Sequence, residues 1–211
     1  MSENVWFKDT KNIYCIGRNY TEHAKELNNP IPNNPLIFLK SPAALRSLEP
    51  VEMAFAGETY DYESELVLVM KDHLELNTRS MFTNLAGICI GLDLTRRDVQ
   101  SELKSKGHPW ALAKNFKGSA ILGKVASLEK ITSQTNIEFT FYVNGEVKQH
   151  GHSHNMIFSL LSILDSILKS VELFPNDLIF TGTPKGVGKV EVGDHLRFVS
   201  PTLEIDESGY L

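Results

Sequence analysis

Apolar residues fall into short runs bounded by Gly, Pro or Asn. Ile13–Ile16, Leu36–Lys40, Glu65–Lys71, Ile88–Leu92, Ile137–Val143, Leu178–Thr181 and His195–Val199 are rich in Ile, Val, Phe and Leu, the pattern of strands. Ile137, Phe139, Phe141 and Val143 alternate with polar residues, so that strand is half-buried. The Asn144-Gly145 pair behind it predicts a two-residue hairpin turn with positive φ at both positions. Helical periodicity is rarer. Met156, Leu160, Ile163, Leu164, Ile167 and Leu168 form one apolar stripe. Thr95 to Lys106 opens with Thr95 and Asp98 at capping-box-like spacing and stops at Gly107. A short helix over Tyr20–Leu27 ends before Pro30. Strands outnumber helices and do not alternate regularly with them. The pattern therefore predicts a β-rich, mixed α+β fold rather than a doubly wound nucleotide-binding sheet.

The chain of 211 residues is long enough for a sizeable core and is read as one domain over residues 1–211. Its net charge of -5 excludes nucleic acid as a natural partner, because phosphate contacts need a Lys/Arg surplus. No block of like charge marks a membrane-surface patch. The most apolar stretch, Met156–Leu168, is broken by Asp165 and too short to span a bilayer. The N-terminal MSENVWFKD lacks the basic-then-apolar order of a secretory signal. Cys15 and Cys89 lie in apolar runs and read as buried thiols of a reducing compartment: the cytoplasm, or the mitochondrion in a eukaryote.

The sharpest chemical signal is DYESELVLVM, Asp61–Met70. On a strand, Glu63 and Glu65 share a face that continues into Val67 and Val69. Two carboxylates leading into apolar surroundings need a positive neighbour; the other reading puts both at a wet strand end. Asp93 follows the apolar run AGICIGL. It reads either as a helix cap or as a third carboxylate of a hard-oxygen site suited to Mg²⁺, Mn²⁺ or Ca²⁺. His23 and Glu26, three apart on a short helix, read as a base with its orienting carboxylate or as a solvated surface pair. In FTGTPKGVGKVEVGD, Phe180–Asp194, glycines at 182, 186 and 188 let backbone N–H groups approach a ligand, or form a plain turn. It lacks the Gly-Lys-Ser/Thr ending of a P-loop. His150, His152 and His154 in QHGHSHN read as a solvated loop able to bind metal adventitiously.

Taken in order, GRNYTEHAKE (Gly17–Glu26), PLIFLKSPAAL (Pro35–Leu45), DYESELVLVM, GLDLTRRDVQ (Gly91–Gln100), PWALAKNF (Pro109–Phe116), NGEVKQ (Asn144–Gln149) and FTGTPKGVGKVEVGD resemble the fumarylacetoacetate hydrolase family. The resemblance covers nearly the whole chain and lies nearest the short acylpyruvase and oxaloacetate decarboxylase type. It implies a β-roll-like fold, a homodimer and a Mg²⁺ or Mn²⁺ cofactor held by Glu63, Glu65 and Asp93. By position it also implies a catalytic His23–Glu26 dyad on a lid, a catalytic Lys114, and Arg18, Arg97, Gln100 and Thr183 along the substrate. Leu92, where many relatives have Asn, and Ser119–Lys124, where many have a Pro-Gly stretch, depart from the pattern.

The reaction so implied is cleavage of a C–C bond in a small 2-keto acid: acylpyruvate hydrolysis, oxaloacetate decarboxylation, or both, through a pyruvate enolate. Oxaloacetate keto–enol tautomerisation and isomerase or decarboxylase work on aromatic breakdown products are alternatives. The rival from another class is a non-catalytic, metal-stabilised binding subunit. That rival has no use for His23, Glu26 and Lys114.

Overall fold

A computed structural model describes residues 9–26, 30–48, 59–78, 81–129 and 131–211. In chain order the elements are β1 (Ile13–Gly17), α1 (Thr21–Glu26), β2 (Leu36–Lys40), β3 (Leu45–Ser47), β4 (Tyr60–Tyr62), β5 (Ser64–Met70) and β6 (Leu85–Asp93). They continue with α2 (Arg97–Ser105), α3 (Ala111–Lys114), β7 (Ala120–Leu122), β8 (Glu138–Val143), β9 (Glu146–His152) and α4 (Leu160–Leu168). The last are β10 (Leu178–Phe180), β11 (Gly188–Val190), β12 (His195–Ser200) and β13 (Ile205–Tyr210). A seven-stranded mixed sheet runs β2-β1-β10-β5-β6-β7-β3, a four-stranded antiparallel sheet runs β13-β12-β8-β9, and β11 pairs with β4. The architecture is the β-rich α+β fold expected from the sequence.

Strand β5 shows how the pattern builds the core. It lies between β10 and β6, and every residue from Ser64 to Met70 is buried. Side chains alternate across the sheet. Leu66, Leu68 and Met70 enter the larger core, which also takes Phe139, Phe141 and Phe198 of the four-stranded sheet and the α4 stripe. Val67 and Val69 enter a smaller cluster with Ile13, Cys15, Cys89 and Phe180. Glu65 falls in register with the valines, so its carboxylate emerges on the side of the smaller cluster. Both cysteines are free and buried.

Several predicted boundaries move. Helix α2 starts at Arg97, because the Thr95 and Asp61 main chains bond to each other in both directions at 2.9 Å. The Thr95 hydroxyl reaches back to the Asp93 carbonyl at 3.4 Å, so no capping box forms. The predicted stop holds: Gly107 has φ 67. Helix α4 starts at Leu160, where the Ser159 hydroxyl accepts the Ser162 N–H, and Met156 instead bridges Tyr20. Helix α1 covers Thr21–Glu26, while the expectation at Leu27 lies outside the described residues. The Asn144-Gly145 turn forms with φ 51 and 82. Strands β3, β4, β7, β9, β11 and β13 were not legible from apolar runs. Strand β9 carries His150 and His152, so the histidine stretch is strand and 3-10 turn rather than loop.

Candidate active site

The carboxylates gather where β4 breaks into β5 and where β6 ends. Glu63 lies in the break, with its carbonyl accepting the Asp93 N–H at 2.9 Å. Glu65 is on β5 and Asp93 is the last residue of β6. Oxygens of all three lie within 4.8 Å of one another, and all three residues are buried. The wet-strand-end reading of the glutamates and the helix-cap reading of Asp93 are therefore both excluded.

Such a cluster is held only by matching charge. Lys114, last residue of α3, places its ammonium 2.6 Å from Glu63 Oε2 and 2.7 Å from Asp93 Oδ2. Arg97 donates to Glu63 Oε1 at 2.6 Å, to Asp61 Oδ2 at 2.8 Å and to Gln100 Oε1 at 2.7 Å. Burial opposes the charge on Glu63, but Lys114 and Arg97 outweigh it and hold the carboxyl well below its ordinary range. Burial likewise opposes the charge on Lys114, and Asp93 and Glu63 reverse it, so the ammonium keeps its proton above the ordinary lysine range. Glu65 differs. It accepts the Gly182 N–H at 2.6 Å, and among the described residues no cationic side chain pairs with it. Burial, then Asp93 and Glu63, push its carboxyl well above the ordinary range.

That imbalance answers the question of a cofactor in the structure's own terms. Three mutually close carboxylates, one of them short of a counter-charge, form a hard-oxygen donor set that fits a divalent cation such as Mg²⁺ or Mn²⁺.

The remaining candidates lie around the same cleft. Arg18, His23, Gln100 and Thr183 line it together with Glu63, Glu65, Arg97 and Lys114. Asp93, paired with Lys114, is not among the residues that line it. His23 Nδ1 is 3.2 Å from Glu26 Oε2, and Glu26 in turn accepts the Gly186 N–H at 3.0 Å. The dyad is therefore anchored to the glycine-rich loop, with His23 buried and Glu26 exposed. Burial lowers the His23 pKa below its ordinary value, against the pull of Glu63 and Glu26. Three of the expected substrate-side residues are already engaged within the protein: Arg97 by Asp61 and Glu63, Gln100 by Arg97, and Thr183 by Ser64 O at 2.9 Å and Gln149 Nε2 at 2.8 Å.

Sequence reasoning passed over Lys40, Asn19 and Asp61. Lys40 ends the apolar strand PLIFLK, and a lysine closing such a run is the signal that could have found it. Its side chain is wholly buried, 2.7 Å from Asp93 Oδ1, and it donates to the carbonyls of Leu94, Lys114 and Ser119 and to the Ser119 hydroxyl. It thus ties β6 to the end of α3 directly behind the carboxylates. Removing one partner of a buried pair strands the other charge. Lys40→Met should therefore cost about 3–5 kcal/mol of stability, read as a shifted denaturant midpoint with an unchanged slope. A loss under about 1 kcal/mol, the value of an exposed pair, would show that Asp93 does not depend on Lys40. Asn19 is fully buried. Its amide donates to Phe158 O and Thr181 O and accepts from Phe158 N, stapling the start of α1 to β10. Gly182, with φ 99, passes so close that a Cβ would meet Asn19 Cβ at 2.6 Å; only glycine carries its N–H to Glu65.

A curled mixed sheet with an acid-lined, lysine-backed cleft at its strand ends defines the class of protein. The fumarylacetoacetate (FAA) hydrolase C-terminal family matches residues 12–206, and the chain belongs to that family. The mitochondrial oxaloacetate tautomerase of Mus musculus is 39% identical over 207 residues, covering 95% of this chain and 94% of its own. The mitochondrial oxaloacetate decarboxylase of Dictyostelium discoideum is 33% identical over 206 residues, covering 96% and 94%. The fumarylpyruvate hydrolase of Pseudomonas aeruginosa, solved with Mn²⁺ and pyruvate, superposes with a TM-score of 0.85 at 30% identity over 95% of this chain and 89% of that one.

Proposed function

We propose that this chain is a divalent-metal-dependent enzyme of small 2-keto diacids, acting on oxaloacetate by keto–enol exchange and C3–C4 cleavage. The observation that carries the substrate class is the crowding of cations at one wall of the cleft. Arg18, Arg97, Lys104 and Lys114 all line it, a setting that receives an anionic substrate. The similarity to oxaloacetate tautomerases and an oxaloacetate decarboxylase points to the same acid.

Glu63, Glu65 and Asp93 would hold the cation, Mg²⁺ or Mn²⁺, which when bound supplies Lewis acidity toward a 2-keto acid. Lys114 keeps a fixed positive charge where the C2 oxygen gains electrons, and being pre-formed it costs no reorganisation. For tautomerisation, neutral His23 takes a proton from C3 and, as the imidazolium, gives one to the C2 oxygen directly or through water, which returns it to its neutral form. For decarboxylation the C3–C4 bond breaks, its electrons pass toward the C2 oxygen, CO₂ leaves, and C3 is then protonated. Glu26 orients His23, and Arg18, Arg97, Gln100 and Thr183 shape the wall that receives the acid. Acylpyruvate hydrolysis is a second reading, favoured by the fumarylpyruvate hydrolase neighbour. There His23 would activate the water that attacks C4.

A panel of oxaloacetate, acetylpyruvate and fumarylpyruvate with Mg²⁺ tests the proposal. Oxaloacetate turnover is expected, with the acylpyruvates slower. Turnover of none of the three would overturn it.

Residues 1–211 act in this reading as one catalytic domain, and the working form is a homodimer. Edge strand β2 exposes Leu36, Ile37 and Leu39, and α3 exposes Leu112, apolar surface that a second copy would cover. Light scattering should give twice the chain mass of 23.7 kDa, and a purely monomeric sample at working concentration would exclude it. No described helix is long and apolar enough to cross a membrane. The buried free thiols favour a reducing compartment, either cytoplasm or mitochondrion.

A further inference from the structure

The outward side of β9 carries a second set of ligating side chains that the reaction does not use. Along this strand Gln149 and Gly151 face inward. A Cβ at Gly151 would lie 2.3 Å from the Phe139 ring, so the core fixes the residue between the two histidines as glycine. His150 and His152 therefore share the other face. The register of β8 on β9 sets Glu138 opposite His152 and Thr140 opposite His150, bringing all four side chains to one patch.

The geometry within that patch is specific. His150 Nε2 stands 3.0 Å from His152 Nε2 and 3.3 Å from Glu138 Oε1. His150 Nδ1 is paired with Thr140 Oγ1 at 2.9 Å, which fixes the ring with Nε2 toward its neighbours. His152 Nδ1 is buried and has no partner among the described residues, so Nε2 is the nitrogen that this ring offers. Two Nε2 atoms facing at this distance cannot both carry protons; at least one lone pair points into the gap.

We propose that Glu138, His150 and His152 form a binding site for a late first-row dication, Zn²⁺ in particular, separate from the carboxylate site. Donors about 2.0–2.1 Å from a tetrahedral Zn²⁺ lie about 3.3 Å from one another, and the separations of His150 Nε2 from His152 Nε2 and from Glu138 Oε1, 3.0 and 3.3 Å, are already near that edge length. Imidazole nitrogens prefer Zn²⁺, Cu²⁺ and Ni²⁺, whereas the all-carboxylate cluster suits hard Mg²⁺ or Mn²⁺. The two sites thus differ in chemistry as well as in place. The pairing of His150 Nδ1 with Thr140 supplies the outer support that metal-bound histidines usually have. The patch borders a cleft of about 300 Å³ shared with Tyr20, Thr21 and Pro184, which leaves room for water to complete the coordination.

The test is calorimetric titration of Zn²⁺ into chelator-stripped protein held in excess Mg²⁺, comparing wild type with His150→Ala, Thr140→Val and Glu65→Gln. One equivalent of Zn²⁺ should bind to wild type and to Glu65→Gln and be lost in His150→Ala. Thr140→Val, which removes only the brace on the ring, should weaken it by about 10–100-fold. Visible bands of Co²⁺ on the same patch should vanish in His150→Ala, while Mg²⁺-supported turnover of that variant stays at the wild-type level. Zn²⁺ binding unchanged by His150→Ala, or absent from wild type once Mg²⁺ is present, would overturn the assignment.

Discussion

Oxaloacetate turnover should fall to the uncatalysed rate when the protein is stripped by a chelator, and Glu65→Gln should keep it there after Mg²⁺ is restored. Glu65 is the carboxylate without a cationic partner of its own, so it has the most to gain from a dication. Its replacement by Gln leaves an oxygen for the Gly182 N–H and removes only charge. The fold should therefore survive, with near-native circular dichroism. Lewis acid stabilisation of developing charge is worth several kcal/mol; at about 4 kcal/mol the loss is about a thousandfold. Metal content measured beside kcat/KM separates failure to bind the cation from failure to use it. Full activity in a preparation verified as metal-free would remove the carboxylate cluster from the mechanism.

His23→Ala should divide the reactions. Hydrolysis of an acylpyruvate needs a water relieved of its proton, and keto–enol exchange needs a proton moved at C3. Both should lose about 10²–10⁴-fold, the usual contribution of a positioned base. Decarboxylation of oxaloacetate needs chiefly stabilisation of the enolate and should lose less. Glu26→Gln should act in the same direction more weakly, because it removes only the partner that orients the ring. Asp93→Asn should damage every reaction. Because burial lowers the His23 pKa, the ring is neutral at pH 7, and the base form is lost only as pH falls below the ordinary histidine value of 6.5. The acid limb of kcat/KM should accordingly lie below that pH in wild type and disappear in His23→Ala. Equal losses of hydrolysis and decarboxylation in this variant would assign His23 to closure of α1 over the cleft rather than to proton transfer.

Much of this arrangement was legible in the sequence, because it follows from local periodicity. The two-residue repeat of SELVLVM divides Leu66 and Leu68 from Val67 and Val69, and the structure puts those sets in two different cores. Asn144-Gly145 needed only its own conformational freedom to be read as a hairpin. What escaped depends on distant partners. Strand β13, with the sequence IDESGY, is an edge strand with alternating exposure, and it carries no apolar run because one face meets water. Asn19 gains its role from Phe158 and Thr181, more than a hundred residues away. Lys40 gains its role from Asp93, Leu94, Lys114 and Ser119. Thr95 carried a valid capping signal that a main-chain pairing with Asp61 overrode. The alternating histidines looked like loop because β9 is an edge strand with few apolar residues.

The position of β10 has a consequence for how the protein is made. This strand, Leu178–Phe180, is inserted between β1 and β5, and the turn behind it brings Gly182 to Glu65 and Gly186 to Glu26. The middle of the main sheet is thus completed by a segment more than a hundred residues downstream of β5. A nascent chain that ends before β10 has β1 and β5 with open edges and apolar faces, the condition in which chains associate wrongly and call on chaperones. Pairings of such long sequence separation also slow folding, because the loop must close before the contacts reward it. Synthesis therefore withholds the finished cleft until the chain has passed Gly182 and Gly186, and a product terminated before them would emerge without it.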